Sequence, residues 1–430
     1  MAAAGAGPLA GVRILDFTVY VNGPMATSMA AENGADVIKV EPARGEGLRA
    51  MAASFGPKHF SPFEVENRGK RSLTLDLKHP GAVAVVERLV RHWADVVCEN
   101  FRPGVMERLG LGYERLRAWN PRIIYASNSG FGPEGEWSQS PSFDAVAQAF
   151  SGAAATQGGG PSHEPVLVHW AFSDKVGAIT FLNSILCALV ARGRTGEGQY
   201  VVTSQLGATL HFQRYDIQEA LRIGWERDDG KPPWHGSNIQ STQRASDGGW
   251  FIMSLMQQDM FERLCRQVLE RPELLEHPVV RAAGWPACLG DGACDRWLRR
   301  ELRAAVATKP RAHWLARCRA AEVPCAPCAS YLEIGDPESQ VGQHLRANGY
   351  LLKAGHRHWG PMTVVGPPAT FSGTPNSVGG EASWHAPLLG EHTLDLLVSA
   401  AGFSRTEAEQ LVQQGVCPEP SPKLARYARL

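Results

Sequence analysis

The chain has 430 residues, with 43 basic and 43 acidic side chains that balance at neutral pH. An even charge argues against nucleic acid or an anionic membrane as a partner, and we expect no apolar run of the roughly 18 residues that a membrane helix needs. The length is typical of two domains. Nine cysteines scattered along such a chain indicate reduced thiols in a cytoplasm-like compartment.

Neither end of the sequence carries a strong targeting signal. The opening MAAAGAGPLAG lacks the basic region and the apolar core of a secretory signal, and its first arginine is Arg13. The final residues, 428–430, read ARL, a loose match to a peroxisomal tripeptide of a kind that chance often produces. We therefore expect a cytoplasmic protein, with the peroxisome or the mitochondrion as alternatives in a eukaryote.

Short apolar strands alternate with helical segments in the first third of the chain. Predicted strands lie at 12–17, 35–40, 94–98 and 122–127, and predicted helices lie at 25–32, 80–92 and 106–119. This alternation predicts an α/β fold with a parallel sheet wrapped by helices. Ligands of such sheets bind at the carboxyl ends of the strands.

The residues at these strand ends suit a phosphorylated, adenine-bearing ligand. Glu41, Arg44 and Arg49 follow the second strand, 67–78 (NRGKRSLTLDLK) supplies a basic turn and strand, and 99–104 (ENFRPG) follows another strand. Arginine and lysine beside backbone amides bind phosphate. A dinucleotide is not indicated, because no GxGxxG follows the first strand. For any single cation, a solvated surface charge is the commoner role.

The stretch 168–200 predicts a long buried helix. From 176 to 190 it is apolar on nearly every side, which is typical of a helix buried on all faces, and Gly193 and Gly196 are expected to end it. Asp174 lies where the helix begins. It is either an N-cap, kept ionised by backbone N–H groups and the helix dipole, or a nucleophilic carboxylate that the dipole keeps charged and the fold partly shelters from water. The residues alone leave both roles open.

Two cysteine and histidine patterns have plain structural explanations. Cys325 and Cys328 in PCAPC have the spacing of a redox or half-zinc motif, but no second CxxC or paired histidine lies nearby, and a proline-stiffened loop is commoner. His356 and His358 are more often found in a solvated loop than as metal ligands. We therefore predict no metal site.

A series of motifs resembles the class III (CaiB/BaiF-type) CoA-transferases over about 9–403. The motifs are PLAGVRILDFT, GADVIKVE, NRGKRSLTLDLK, ADVVCENFRPGVMERLGLGYE, NPRIIYASNSGFG, FDAVAQAFSGAAATQG, SDKVG with RTGEGQ, and APLLGEHT. The resemblance implies a Rossmann-like large domain formed by both chain ends, a smaller central domain and an interlocked homodimer. We place the first part of the large, CoA-binding domain at 9–224, the small domain at 225–330, and the return to the large domain with a C-terminal tail at 331–430.

The resemblance also implies site residues, with coenzyme A or acyl-CoA as a substrate and no tightly bound cofactor. The catalytic aspartate of the family corresponds to Asp174. A second active-site carboxylate of formyl-CoA relatives corresponds to Asp144, for which the alternative is an N-cap of a helix at 145–150. The CoA contacts that the resemblance implies are Tyr20, Leu75, Lys78, Asn100, Phe101, Arg108 and Leu109. We add Arg49 as a candidate CoA contact because it follows the second predicted strand.

The chemistry implied by the resemblance needs an acyl-CoA donor and a carboxylic acid acceptor, but no ATP. Asp174 would attack the donor thioester to give a mixed anhydride and release CoA thiolate. The thiolate would then attack the aspartyl carbonyl to give an aspartyl-CoA thioester, and the acceptor acid would reverse the steps. Backbone N–H groups at 158–160 are candidate oxyanion donors. The loop 234–250 is a candidate lid, although it lacks the glycine run of formyl-CoA relatives.

Departures from the family pattern bear on the substrate. Val21 stands where formyl-CoA:oxalate enzymes carry glutamine, which argues against formyl or oxalate specificity, and Asn22 replaces the usual alanine beside it. Five aromatic side chains are expected to wall the site and to suit an apolar or medium-sized acyl group. They are Tyr20, Phe143, His169, Trp170 and Phe172.

Two alternative functions remain from the sequence. An α-methylacyl-CoA racemase would pair the aspartate with a histidine, so that one group removes an α-proton and the other returns it. Phe143 occupies the position of that histidine. A CoA-binding protein without catalysis is the second alternative, because a fold does not guarantee an activity.

Overall fold

The computed structural model describes residues 7–54, 62–230, 240–357, 359–376, 380–383 and 385–421. The chain forms two compact units, one from Met1–Asp229 with Asn348–Leu430 and the other from Gly230–Ala347. His358, the tripeptide 428–430 and 234–239 of the expected lid loop lie outside the described residues.

Helices and strands alternate through much of the described chain. The first part of the chain contains β1 (Arg13–Asp16), α1 (Asn22–Glu32), β2 (Asp36–Glu41), α2 (Gly47–Ser54), α3 (Pro62–Glu66), β3 (Arg71–Thr74), α4 (Ala82–His92), β4 (Val96–Glu99), α5 (Val105–Arg108), α6 (Tyr113–Trp119), β5 (Ile124–Ser129), α7 (Asp144–Phe150), α8 (Ala153–Gly158), α9 (Phe172–Thr195), β6 (Tyr200–Ser204), α10 (Gln205–Phe212) and α11 (Arg214–Ile223). The middle part contains β7 (Gln240–Arg244), β8 (Trp250–Ser254), α12 (Gln258–Arg263), α13 (Pro278–Ala283), α14 (Gly292–Val306), α15 (Arg311–Ala320), β9 (Cys325–Pro327), α16 (Tyr331–Gly335) and α17 (Gln340–Ala347), together with a π-helical turn (Leu264–Val268) and 3-10 turns (Pro272–Glu276 and Ala287–Gly290). The last part contains β10 (Leu351–His356), β11 (Gly360–Val365), β12 (Gly380–Ser383), α18 (Thr393–Ser399) and α19 (Arg405–Gln413).

Six parallel strands form the main sheet of the first unit, in the order β3-β2-β1-β4-β5-β6. In β1, Leu15 lies opposite Ile38 of β2 and Val97 of β4. Strands β1, β4 and β5 are buried at nearly every residue, as expected for a parallel sheet covered on both faces. The predicted α/β fold is therefore confirmed. The strand order is that of a Rossmann-type sheet, whose winding reverses between β1 and β4.

Each face of this sheet has its own apolar core, because successive side chains of a strand point to opposite faces. Leu15 and Val97 lie in one core with Leu396 of α18. Ile14 and Val96 lie in the other, which includes residues of α1 and α9. The C-terminal helices thus complete a core that the first strand begins.

Helix α9 differs from its prediction in two respects. It spans 24 residues and could cross a membrane by length and composition alone, as core helices also can, so our expectation that no run reaches this length is wrong. Phe181 packs in the second core, whereas Ile179 and Val190 are 54% and 66% exposed. Burial on every face is therefore wrong for this chain, because a uniformly apolar run does not show which side packs. Gly196 (φ 78°) ends the helix as predicted, but Gly193 lies inside it.

Three local predictions are also wrong. The helix at 106–119 is two helices, α5 and α6, because Gly110 adopts a left-handed conformation (φ 72°) between them. His356 is not in a solvated loop but buried in β10, with Nε2 3.2 Å from Oε2 of Glu64. Cys325 is not in a loop either, since it begins strand β9.

The second unit has a separate core. Strands β7, β8 and β9 form an antiparallel sheet, and Phe251 of β8 packs in an apolar cluster with residues of α12 and α14. Within this cluster the rings of Phe261 and Trp285 stack with centroids 4.2 Å apart. Residues 240–244 of the expected lid loop form β7.

One predicted domain limit differs from the limits of the compact units. Residues 331–347, which we assigned to the returning large domain, belong to the second unit. Arg311 of α15 forms a 2.5 Å ion pair with Glu333 of α16, which ties this segment to the helices before it. The assignment of CoA binding to the larger domain stays a prediction.

Replacing Gly198 with alanine should lower the free energy of unfolding by about 1–3 kcal/mol. A Cβ on Gly198 would lie 1.9 Å from the backbone oxygen of Ile123, so the chain entering β6 would have to move away from β5. Gly193→Ala is the matched control, because a Cβ there meets nothing within 4 Å and alanine favours the helix by up to about 1 kcal/mol. Urea unfolding followed by circular dichroism measures both variants, and equal stabilities would contradict this packing.

Candidate active site

A cavity of about 270 Å³ lies at the carboxyl ends of β1, β4 and β5. This is the point at which the winding of the sheet reverses, where ligands of such folds bind. The cavity is lined by Val19, Tyr20, Asn22, Asn100, Phe101, Arg102, Asn128, Ser129, Gly130, Ser138, Ser140, Pro141, Ser142, Phe143, Asp174 and Gln205. Asp174 is the one carboxylate in this set.

Gln205 holds the Asp174 carboxylate. Its Nε2 donates a 2.6 Å hydrogen bond to Oδ1 of Asp174, and its Oε1 accepts a 3.0 Å bond from the hydroxyl of Ser142. Gln205 is the first residue of α10, directly after β6, and it is buried. The sequence reasoning missed it. A polar residue directly after an apolar strand was the signal that could have found it.

Asp144 caps helix α9 rather than its own helix. Its Oδ1 accepts hydrogen bonds from the backbone N–H of Ser173 (2.7 Å) and of Asp174 (3.3 Å). Helix α7 begins at Asp144 itself and has no side-chain cap, so an N-cap role for a helix at 145–150 is wrong. The N-cap alternative for Asp174 is also wrong, because Ala171 (φ 55°) occupies the N-cap position of α9.

A buried glutamine holds Asp144 from the other side. Nε2 of Gln148 donates to Oδ2 of Asp144 (2.8 Å) and to the backbone oxygen of His169 (3.0 Å), while its Oε1 accepts from the N–H of Val168 (2.8 Å). Gln148 is completely buried. It therefore joins α7 to the segment that leads into α9.

The electrostatic setting of Asp174 differs from the sequence expectation. Burial and the nearby charge of Asp144 raise the pKa of Asp174 to about 7, although the hydrogen bond from Gln205 and the charge of Lys175 act in the opposite direction. The N–H groups expected to keep this carboxylate ionised bind Asp144 instead. The side chain therefore changes its charge near neutral pH.

A buried ion pair supports the loop that follows β1. Nζ of Lys70 lies 3.0 Å from Oδ2 of Asp16, and both side chains are completely buried. Burial raises the pKa of Asp16, but Lys70, Lys39 and two threonine hydroxyls outweigh it and leave this pKa below its ordinary value. Lys39 also donates to the backbone oxygen of Thr18 (2.9 Å). These bonds fix the start of the loop that carries Tyr20 and leads to Asn22, the first residue of α1.

Tyr20 is held in an unusual conformation over the cavity. Its φ of 64° is rare for a residue other than glycine. Its N–H donates to a carboxylate oxygen of Glu46 (3.1 Å), and Asn100 bonds both the N–H and the carbonyl of the preceding Val19 (2.8 and 2.9 Å). The ring meets the ring of Phe143 edge-on at 5.1 Å.

The predicted CoA contacts do not all gather at this cavity. Tyr20, Asn100 and Phe101 line it. The remaining five are absent from its described lining: Leu75 is buried in the core, Arg49 is paired with Glu41 through two bonds of 2.7 and 2.9 Å, Lys78 and Arg108 are exposed, and Leu109 is half-buried. Their contact with CoA stays a prediction.

The predicted oxyanion donors and three of the five predicted aromatic residues lie outside the described cavity lining. The N–H groups of Gly159 and Gly160 bond to carbonyls at the end of α8 (3.1 and 3.0 Å), and 158–160 is not part of the described cavity lining. Of the five aromatic residues, Tyr20 and Phe143 line the cavity, and most other lining side chains are polar. Among the described residues, no group of three or more His, Cys, Asp or Glu could hold a metal ion.

Asp174→Asn should become more stable than the wild type as the pH rises. The pKa of Asp174 is about 7 in the folded protein, and we expect the ordinary value of 3.8 in the unfolded chain. Between these two pH values, unfolding therefore releases a proton from Asp174. Wild-type stability therefore falls across this window and levels off above it, by an amount on the order of a few kcal/mol. Thermal unfolding of both proteins from pH 5 to pH 8.5 measures the difference. A difference that is constant with pH would contradict the raised pKa.

Comparison with known proteins identifies the family. The model of CoA-transferase family III matches residues 9–393. The acetyl-CoA:oxalate CoA-transferase of Acetobacter aceti is 34% identical over 84% of this chain and 90% of its own length. The formyl-CoA:oxalate CoA-transferase of Rhodopseudomonas palustris (strain BisB18) is 30% identical over 96% of this chain and 97% of its own.

Solved structures agree with this assignment. A crystal structure of a Mycobacterium tuberculosis protein superposes with a TM-score of 0.75 and 29% identity over 90% of this chain and 98% of its own. The crystal structure of a CaiB/BaiF family protein from Brucella suis superposes with a TM-score of 0.74 and 28% identity over 92% of this chain and 100% of its own. The chain therefore belongs to CoA-transferase family III, and it is a CoA-transferase with coenzyme A as a substrate.

Proposed function

We propose that this enzyme moves CoA from an acyl-CoA to a carboxylic acid through covalent intermediates on Asp174. The observation that carries the proposal is a sheltered carboxylate in the cavity, with a pKa near 7 and one oxygen held by Gln205. Such a carboxylate is available as a nucleophile at neutral pH and is less hydrated than one in water.

The reaction is balanced without an added cofactor. The ionised Asp174 attacks the thioester carbonyl, the C–S bond breaks, and an aspartyl-acyl anhydride and CoA thiolate result. The thiolate attacks the aspartyl carbonyl, releases the donor acid as a carboxylate and leaves an aspartyl-CoA thioester. The acceptor carboxylate then attacks the aspartyl-CoA carbonyl, breaks its C–S bond and gives a second anhydride and CoA thiolate. This thiolate attacks the acceptor-derived carbonyl of the anhydride, which forms the new acyl-CoA and releases the Asp174 carboxylate.

The neighbours of Asp174 have defined tasks in this scheme. Gln205 binds Oδ1, so attack through Oδ2 leaves that hydrogen bond in place. Asp144 and Gln148 fix the first turn of α9 and hence the position of the nucleophile. Asp144 acts as a positioning residue, and its charge tunes the pKa of Asp174.

A homodimer agrees with the surface of the first unit. Five large apolar side chains on α9, α10 and α11 are more than half exposed, and α10 contacts both α9 and α11. Exposed apolar side chains on neighbouring helices are typical of an interface. The five side chains are Ile179, Val190, Phe212, Tyr215 and Leu221. We infer that they are covered in the interlocked homodimer implied by the family resemblance, which sedimentation equilibrium distinguishes from a monomer.

Brief incubation with a panel of acyl-CoA donors should give a covalent adduct on the wild type and none on Asp174→Asn. Intact-mass spectrometry measures the adduct, whose mass identifies an acyl or a CoA group. Asp144→Asn, which keeps an acceptor oxygen for the start of α9, is the matched control and should retain the adduct. Bound CoA without any adduct, together with deuterium exchange at the α-carbon, would favour the racemase alternative.

The acid limb of the pH–rate profile should move in opposite directions in two variants. Asp174 must be ionised to attack, so kcat/KM should rise as the pH passes through about 7. Asp144→Asn removes a charge that raises this pKa and should shift the limb to lower pH. Gln205→Leu removes a hydrogen bond that lowers the pKa and should shift the limb to higher pH. Steady-state CoA transfer from pH 5 to pH 9 provides the profiles, and shifts in the same direction would refute the assignment.

A further inference from the structure

One wall of the cavity is built from two asparagine amides. Asn22 is the first residue of α1, after β1, and Asn128 is the penultimate residue of β5. Nδ2 of Asn128 donates a short hydrogen bond to Oδ1 of Asn22. Both residues line the cavity and are nearly buried, with exposures of 7% and 3%. The mechanism proposed above uses neither of them.

The bond between the two side chains does not use the oxygen of Asn128, which is an acceptor, or the N–H₂ group of Asn22, which is a donor. An amide side chain carries an acceptor oxygen and an N–H₂ group, and a single bond between two amides uses one of each. Oδ1 of Asn128 is buried and has no hydrogen-bond donor in the part of the chain that the structure describes. Buried polar atoms are almost always hydrogen-bonded, and Asn128 is one of the residues that line the cavity, so the missing donor points to a ligand atom.

The pair lies beside the nucleophile. A Cβ on Gly177 would lie 2.3 Å from Nδ2 of Asn22, so the Asn22 amide contacts α9 at that residue. Positions 174 and 177 are neighbours on one face of a helix. Glycine at 177 therefore lets the amide approach within one turn of Asp174. A group bound by the amide pair would belong to the part of the substrate nearest the reacting carboxyl.

The unused groups select for a hydroxyl. A hydroxyl can donate to Oδ1 of Asn128 and accept from the Asn22 amide, whereas an alkyl group can do neither. A second carboxylate only accepts, and it would place negative charge against the Asn128 oxygen. Arg102, the one cation among the described lining residues, is an exposed side chain. The polar lining does not match the apolar acyl group expected from the sequence.

We propose that Asn22 and Asn128 form an acyl-recognition subsite for a hydroxy acid, as the free acid or as its CoA thioester. This inference rests on the proposed function and names its substrate class. It assigns both asparagines as specificity-determining residues, and it places the substrate hydroxyl between them, next to Asp174.

The test uses acid pairs in which a hydroxyl replaces a methyl group of the same size. Lactate is compared with isobutyrate, 3-hydroxypropionate with butyrate, and 3-hydroxybutyrate with isovalerate, each as acceptor and as CoA-thioester donor with acetate. Malonate and succinate are added as dicarboxylates. We expect kcat/KM to favour the hydroxy compound of at least one pair by about tenfold or more.

Two variants connect this preference to the amide pair. Asn128→Leu keeps the side-chain size and removes the amide, and Asn22→Ala introduces the residue that is usual in the family. Both should reduce the preference about tenfold. The preference is a ratio of kcat/KM values within one acid pair, so a loss of activity common to both acids does not change it. Two variants are used so that misfolding of one, seen by circular dichroism, leaves the other informative.

The outcomes separate this inference from the proposed function. Transfer that is equally fast within every pair, or a hydroxyl preference unchanged in both variants, overturns the subsite but leaves the Asp174 mechanism intact. A preference for the dicarboxylates also overturns it. The absence of both transfer and adduct with every compound overturns the proposed function, and the subsite with it.

Discussion

The hydrogen bonds from the first N–H groups of α9 to Asp144 are the constraint on which the site depends. Bonds of this kind to a charged acceptor are worth about 1.5–3 kcal/mol. They join two helices whose bonded residues are far apart in sequence, and they satisfy the donors that an N-cap side chain usually satisfies. Asp174 is consequently free to project into the cavity. Its pKa is raised by the same carboxylate that fixes its position.

Much of the fold follows from local sequence pattern, and the position of the cavity follows from the fold. Apolar strands such as VVCE are buried on both faces and could be recognised as members of a parallel sheet. The carboxyl ends of those strands then locate the cavity, and the motif resemblance adds Asp174. The buried face of α9 could not be predicted, because the apolar run has no polar side that distinguishes the core from solvent.

Long-range partners account for what the sequence did not show. Gln205 meets Asp174 only because β6 returns beside β5, and Asn128 meets Asn22 only because β5 ends and α1 begins at the same edge of the sheet. The sequence suggested a loop position for His356, because its partner Glu64 is distant in the chain. The secondary-structure preferences of single residues contain no information about partners that are distant in the chain. The cavity is for that reason more polar than its aromatic residues suggested.

The discontinuity of the first unit has a consequence for biosynthesis. Its sheet core joins Leu15 of the first strand to Leu396 of α18, whereas Gly230–Ala347 is one uninterrupted segment. During synthesis from the N-terminus, the central unit can fold as soon as it emerges, because domains generally fold as units. The strands made earlier must wait, with part of one apolar face uncovered, until the last helices leave the ribosome. We therefore expect nascent chains of this enzyme to expose part of this apolar face until the C-terminal helices are made, and transiently exposed hydrophobic surface of this kind is what chaperones bind.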